Sequence, residues 1–299
     1  MNEKDILVRA LSKNEEVRAF ALTDKGIVEE ARSLHGTTPI ATEALGRTLS
    51  AGLILGDMMK EKGDLVTIQF FGDGGLKHIL VTSDFEGQVK GYVSVPGYTA
   101  LSKGEEGDDI RKGIGRGTLT VIRDYHLKEP YSSQIAIHTG DIAGDLTYYF
   151  SQSEQTPTSV GLDVLLGADG SVLASGGYLI QLMPFASQKT IDTLVRNLSR
   201  PFPIAQDLVS HTPEELLSVV LDGFDPQITG SKDVSWHCSC SEERGKMVIA
   251  TLGRKEIEEM IRENKPVEAS CVFCGKKYTY TKEELEEILS SLPQEKRAA

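Results

Sequence analysis

Four cysteines sit in the last quarter of the 299-residue chain, as Cys238-Ser239-Cys240 and, thirty residues further on, Cys271-Val272-Phe273-Cys274. No cysteine precedes Cys238. Two closely spaced thiol pairs held apart by an insert of folded character form a zinc-site pattern, because zinc takes four ligands in a tetrahedron. The second pair is a CxxC with Gly275 behind it; the first is a CxC, unusual for a zinc finger. Two thiolates that close on one metal are also two thiols ready to oxidise with their neighbour once the metal leaves. Four thiolates fill the coordination sphere and leave no open position for water, which argues against a hydrolytic centre. His237, directly before Cys238, is a conceivable substitute ligand, but with four thiols present it reads as a neighbour. The residues themselves leave two alternatives open, a structural zinc clip and a thiol switch.

Length favours two domains over one. The longest apolar stretch, Ala51 to Met59, is interrupted by Gly52, Gly56 and Asp57, so no membrane span is expected. Met1-Asn2-Glu3-Lys4-Asp5 lacks the basic start and apolar run of a signal peptide, and the expected location is cytoplasmic. Thiols stay reduced there, so clustered cysteines point to metal or redox work rather than structural disulfides. The net charge is −12, and residues 231–299 hold twelve Lys/Arg against thirteen Asp/Glu, which places the acidity in the body of the chain. That balance speaks against a nucleic-acid partner, which needs a basic face to displace counterions from phosphates.

Along the chain, Ile6–Leu11 and Val17–Leu22 read as two strands, followed by a helix to Leu34 and a second helix from Pro39 to Glu61 with Ala41, Ala44, Leu45, Leu49 and Leu53 at helical spacing. From Asp64 the period changes to two, with glycine-bearing turns at Gly72-Asp73-Gly74-Gly75 and Glu86-Gly87 between alternating runs. Further strands are expected at Thr118–Ile122, Gln134–His138, Gly161–Leu166 and Val172–Met183. Residues 1–184 therefore read as an α+β domain on a mostly antiparallel sheet. Residues 185–232 read as a helical linker: Thr190–Leu198 and Pro213–Leu221 are amphipathic, the latter opened by Thr212 and Glu215, with Pro201, Pro203 and Pro226 between and after them. Short helices separated by prolines make a poor core of their own. Residues 233–299 read as a small zinc-binding domain, with a helix at Arg254–Glu263, a strand at Lys277–Tyr280 and a last helix opened by the Thr281–Glu284 capping box. So few large apolar side chains would be marginal without metal, whose ligation free energy becomes folding free energy in such modules.

Other motifs carry less. Arg111-Lys112-Gly113-Ile114-Gly115-Arg116-Gly117 has the composition of a phosphate loop but not its spacing or a following helix, and reads as a turn. His35, His78, His126, His138 and His211 are scattered without a nucleophile motif. Asp141 and Asp145 are spaced for one helix face without a visible partner and suggest solvated or capping roles. No catalytic constellation emerges, and no enzymatic activity is expected.

The whole chain resembles the redox-regulated holdase chaperone family, heat shock protein of 33 kDa. The resemblance rests on Ala44-Leu45-Gly46-Arg47-Thr48, on Tyr148 to Gln155 with Pro157 and Ser159, on Gly176-Gly177-Tyr178-Leu179-Ile180-Gln181-Leu182-Met183-Pro184, on His237-Cys238-Ser239-Cys240-Ser241 and on Cys271-Val272-Phe273-Cys274. It implies that Cys238, Cys240, Cys271 and Cys274 hold one zinc ion in a reduced, inactive state. It further implies that oxidants release zinc and form the disulfides Cys238–Cys240 and Cys271–Cys274, and that tail and linker then unfold. The exposed apolar surface would capture unfolding or oxidatively damaged client proteins without ATP and pass them to ATP-dependent chaperones, and the active form would dimerise. Such surface must stay hidden until needed. Leu194, Leu198, Leu216, Leu217, Val219 and Val220 are the candidates for it, and charge substitutions there should impair aggregation suppression without affecting zinc binding. A zinc-ribbon nucleic-acid-binding protein would instead require a basic face, and a thiol-disulfide oxidoreductase would require turnover on a dithiol in a thioredoxin-like setting.

Overall fold

A hairpin opens the chain: β1 (Ile6–Leu11) and β2 (Val17–Thr23) pair antiparallel. Helix α1 (Lys25–His35) stops at Gly36, whose φ of 60° lies in the left-handed region that glycine enters without strain. Helix α2 (Pro39–Asp57) starts on its proline. Strands β3 (Leu65–Gly72), β4 (His78–Asp84) and β5 (Gln88–Val93) form a meander, followed by the short α3 (Ile110–Ile114), then β6 (Gly117–Asp124) and β7 (Tyr131–Ala136). Helix α4 (Ile142–Gln152), strands β8 (Thr158–Leu166) and β9 (Val172–Leu182), and helices α5 (Gln188–Leu198), α6 (Ile204–Asp207) and α7 (Pro213–Val220) come next. Strands β10 (Gln227–Asp233) and β11 (Ser235–Trp236) complete the first of two compact units, Met1–His237. The computed structural model describes residues 4–99, 110–200 and 202–292, so Pro201 lies outside the described residues.

Among the described residues this unit is built on two sheets, ordered β10-β1-β2-β9-β8 and β11-β5-β4-β3-β6-β7, antiparallel apart from the β11–β5 pair. Helix α2 lies between them, packed on β3, β4 and β5 of one and β8 and β9 of the other. A helix enclosed in this way must be apolar on nearly all sides. Only Pro39, Glu43 and Arg47 of α2 escape burial. Close approach is bought with glycine: a Cβ at Gly52 would stand 2.6 Å from a Val81 methyl, and one at Gly46 would stand 2.8 Å from a Val164 methyl.

The first sheet is buried on both faces. Leu7, Phe20, Leu22 and Leu179 point into the α2 core, while Val8, Ala10, Val17, Ala19, Ala21, Ala174 and Ile180 point the other way, under α5, α6 and α7. The helices contribute Leu194, Ile204, Leu216, Leu217 and Val220 to this second apolar layer, and Leu208, just after α6, joins them. Thr212 and Glu215 close the capping box expected for α7.

Among the described residues, Asp24, Asp57, Asp64 and Asp145 are buried carboxylates of this unit. Asp57, at the C-terminal end of α2 where the helix dipole disfavours a negative charge, is paired with Arg9 Nε at 3.0 Å and Lys232 Nζ at 2.7 Å. Asp24 is wholly buried; Ser50 Oγ donates to its Oδ2 at 2.7 Å, Oδ1 has no partner, and burial pushes its pKa up to about 7.

The structure differs from the sequence reading at particular places. Residues 227–232, the end of the stretch read as a helical linker, belong with Asp233 to strand β10, paired with β1 at the sheet edge. Helix α4 occupies a segment for which no element was expected. Its Asp141 caps it by accepting from Gly144 N, as a capping role requires, but Asp145 is neither solvated nor unpartnered: it is buried and accepts backbone N–H groups from His138, Thr139 and Gly140 at 3.0, 2.7 and 2.9 Å. The apolar run Met247–Ala250 belongs to a helix, and the strand expected at Gln134–His138 begins at Tyr131 and ends at Ala136.

The second unit, Cys238–Ala299, contains α8 (Glu242–Thr251), α9 (Arg254–Glu263), the antiparallel pair β12 (Val267–Ser270) and β13 (Lys277–Tyr280), and α10 (Lys282–Ser291), which opens on the expected Thr281–Glu284 box. Ile249, Ile257, Tyr280, Leu285 and Ile288 are its buried core. Among the described residues, no helix of the chain is long and apolar enough to cross a membrane.

Candidate metal centre

The two cysteine pairs arrive from different local structures. Cys238 and Cys240 lie on the extended segment before α8, whose N-cap Ser241 accepts from Arg244 N, while the Arg244 guanidinium donates to Ser239 Oγ. Cys271 and Cys274 lie in the β12–β13 turn, closed by Gly275 N to Cys271 O at 2.8 Å and Cys271 N to Lys276 O at 2.9 Å. The turn needs Gly275, at φ 69°, because a side chain there would be strained.

These frames bring the sulfurs together. Cys238 Sγ is 3.6 Å from Cys271 Sγ and Cys240 Sγ is 3.4 Å from Cys274 Sγ; all four lie within 4.8 Å of one another. A tetrahedron with metal–sulfur bonds of about 2.3 Å has edges of about 3.8 Å, so the cluster has the dimensions of a four-thiolate metal site. Each cysteine is a free thiol of intermediate exposure. Among the described residues His237 is outside the metal-competent group; its backbone N–H is donated to Val89 O.

So close together, the four thiols do not ionise alike. The Tyr278 hydroxyl, donating to Cys240 Sγ at 3.3 Å, brings the Cys240 thiol down to about 7, whereas burial pushes Cys238 up to about 12 and raises Cys274. A bound cation overrides this ordering and holds coordinating thiols as thiolates. Sequence reasoning missed the part of Tyr278 in this site.

The other candidates lie elsewhere. Residues 111–114 of the glycine-rich basic segment lie in α3, and Gly113 O and Ile114 O accept from Leu76 N and Gly74 N, so the segment braces a turn. His35, His78, His126, His138 and His211 stay dispersed: His126 bonds Gly63 O, His138 stacks on Tyr148, and His211 faces Asp207. Of the six candidate client-binding side chains, Leu194, Leu216, Leu217 and Val220 are buried in the layer beneath α5–α7, and Leu198 packs at its margin. Val219 is 51% exposed on the outer side of α7 and so is not hidden surface.

The motifs outside the tail have structural work. Arg47 bridges Asp141 and Asp163 at 3.3 and 3.2 Å, Tyr149 donates to Glu154 at 2.7 Å, and a Cβ at Gly177 would come within 2.2 Å of Gly161 O. The family model described as Hsp33 protein matches residues 5–281. The chain belongs to the Hsp33 family. Curated members of the Hsp33 family named 33 kDa chaperonin include one from Agathobacter rectalis, 42% identical over 285 residues that cover 95% of this chain and 99% of the relative. The Bacillus subtilis 33 kDa chaperonin is 42% identical over 285 residues, covering 94% and 97%. The crystal structure of the Thermotoga maritima 33 kDa chaperonin superposes with a TM-score of 0.88 at 30% identity, covering 96% of this chain and 98% of that one. The chain is thus an Hsp33-family chaperone with a four-cysteine cluster able to hold a metal ion.

Proposed function

We propose that this chaperone is a redox-regulated, ATP-independent holdase whose resting form carries one zinc ion on Cys238, Cys240, Cys271 and Cys274. The observation that carries the reading is the packing of four sulfurs at tetrahedral spacing in a unit that, among the described residues, buries only five apolar side chains. When bound, zinc supplies the ligation free energy that such a small core lacks.

Oxidation removes that support. Each disulfide, Cys238–Cys240 and Cys271–Cys274, forms as two thiols give up two electrons and two protons; a hydroperoxide taking them up is reduced to an alcohol or water, plus water. The shortest sulfur separations run between the two pairs, yet all sulfurs lie close enough for pairing within each motif. A disulfide withdraws both sulfurs from the metal, so zinc leaves and the second unit loses its largest source of stability.

The segment before Cys238 is the one built to follow. Residues 227–237 supply an edge strand to each sheet of the first unit, β10 to one and β11 to the other, and an edge strand detaches without breaking the strands inside it. Upstream, α5–α7 cover the small-residue face of the first sheet. In this reading residues 1–184 are the persistent body, 185–232 the linker that unfolds and 233–299 the switch. Loss of the linker bares Val8, Val17, Ala19 and Ile180 together with Leu194, Leu198, Leu216, Leu217 and Val220, apolar surface suited to unfolded or oxidatively damaged clients. The activated chain dimerises, acts in the cytoplasm by binding rather than turnover, and releases clients to ATP-dependent chaperones.

The test is aggregation of a chemically unfolded protein, followed by light scattering with zinc release in parallel, before and after peroxide with mild heat. Suppression that appears only after oxidation, with zinc loss, and reverses on reduction with zinc resupplied is the expected result. Retained zinc without suppression would leave a structural clip and overturn the switch.

A further inference from the structure

We propose that Tyr278 is a positioning residue for Cys240, holding this sulfur by a hydrogen bond that slows its attack on oxidants and so sets the rate of zinc release. The inference rests on the metal centre described above. The tyrosine hydroxyl donates to Cys240 Sγ at 3.3 Å, and among the described residues it has no other hydrogen-bond partner.

The placement is built rather than incidental. Tyr278 and Tyr280 alternate with Thr279 along β13 and share one face of the pair. Tyr280 is fully buried, donates to Glu242 O at 3.0 Å in the first turn of α8, and sits so close to Gly245 that a Cβ there would fall 1.9 Å from its oxygen. Tyr280 thereby fastens β13 to the helix that begins two residues after Cys240. On the other side, the Lys276 ammonium lies 5.2 Å from the centre of the Tyr278 ring, where a cation is attracted to the π face.

With zinc bound all four sulfurs are thiolates, so the effect is one of nucleophilicity and not of protonation. In the oxidative step a sulfur lone pair attacks the hydroperoxide. The S–O bond forms as the O–O bond breaks, the sulfur loses two electrons to become a sulfenic acid, and the departing alkoxide or hydroxide takes a proton from solvent. A neighbouring thiolate then displaces that oxygen as hydroxide, which is protonated to water, and the S–S bond closes. The Tyr278 hydrogen bond occupies one lone pair of Cys240 and draws electron density from the sulfur, which raises the barrier to attack there. Partners outside the coordination sphere commonly tune metal sites in this way.

The experiment uses the full-length, reduced, zinc-loaded chain with Tyr278→Phe and Tyr280→Phe. Zinc release at fixed peroxide is read with a chromogenic chelator, and the sulfur-to-metal charge-transfer band is read on cobalt-loaded samples. Y278F is expected to release zinc roughly three- to tenfold faster, with its cobalt band moved to lower energy. Y280F removes a hydroxyl from the same strand without touching sulfur and should leave the band in place. A second readout needs no variant: limited alkylation of zinc-loaded wild type, mapped by mass spectrometry, should modify Cys240 more slowly than Cys274. Equal release from Y278F and wild type, acceleration by both variants with neither band moved, or faster alkylation at Cys240 would overturn the role of Tyr278. Wild type that binds no zinc would overturn the metal centre as well, whereas wild type that binds zinc and ignores Y278F overturns this inference alone.

Discussion

Lys232 Nζ lies 2.7 Å from Asp57 Oδ1, joining edge strand β10 to the C-terminal end of the central helix α2. Its ammonium also donates to Phe85 O and sits 4.3 Å from the Phe85 ring centre. Lys232→Met keeps the alkyl stem and removes the charge, leaving Asp57 buried with Arg9 as its remaining cation. A loss of about 2 kcal/mol in unfolding free energy is expected, because a half-paired buried carboxylate is costly. Amide exchange should rise along Gln227–Asp233 while zinc content stays unchanged; exchange no faster than wild type would show that the ion pair does not hold the strand.

Asp24 gives the first unit a pH dependence of definite sign. The folded chain keeps this carboxyl protonated up to about 7, whereas the reference value for an unfolded aspartate is 3.8. Between those values the folded state binds more protons than the unfolded state, so stability falls as pH rises through the window and is level above it. Asp5, raised in the same direction by burial, adds to the slope. Asp24→Asn should match wild type near pH 3 and exceed it at pH 8 by up to about 4 kcal/mol. Denaturant midpoints across that range provide the check, and parallel curves for the two proteins would contradict it.

Metal removal should act on one unit only. With a strong chelator under reducing conditions, the helical signal of α8, α9 and α10 is expected to vanish while the two sheets of the first unit persist, since structural zinc contributes roughly 10 kcal/mol or more to modules of this kind. Nuclear magnetic resonance of the reduced chain with and without chelator distinguishes the units. Dispersed resonances from Ile257 and Leu285 after zinc loss would mean that the second unit stands without metal.

Helix α7 offers a contrast within two residues. Leu217 is fully buried against the first sheet and Val219 is 51% exposed. Leu217→Ala should weaken that packing by about 2–5 kcal/mol and lower the oxidant dose at which aggregation suppression begins. Val219→Glu should change resting stability by no more than about 0.5 kcal/mol. Identical dose-response curves for Leu217→Ala and wild type would separate α7 from activation.

Where the sequence carried its own periodicity, the structure follows it. The hairpin Ile6–Thr23, the enclosed helix from Pro39 and the Val66–Val93 meander were legible because apolar spacing sets both element type and buried face. Strand β10 was not, since an edge strand such as Gln227–Asp233 is mostly exposed and takes its identity from a partner at the other end of the chain. Helix α4 was obscured by Gly144 and by its run of aromatic residues, although Asp141 already marked its start. In the metal centre, the four cysteines announced themselves by spacing. Tyr278 did not, because only the β12–β13 register and the Tyr280 anchor turn its hydroxyl toward Cys240.

The pairing of Ile6 with Asp233 also has a consequence for synthesis. Strand β1 leaves the ribosome well before β10, and this outer neighbour is translated only after nearly all of the rest of the first unit. Until then the open backbone edge of β1 faces the crowded interior of the cell as a template without its own strand. A nascent chain therefore passes, until β10 is made, through the uncovered condition that the proposed oxidative release of this strand would recreate. The closing of that edge by β10 is one of the last acts of its birth.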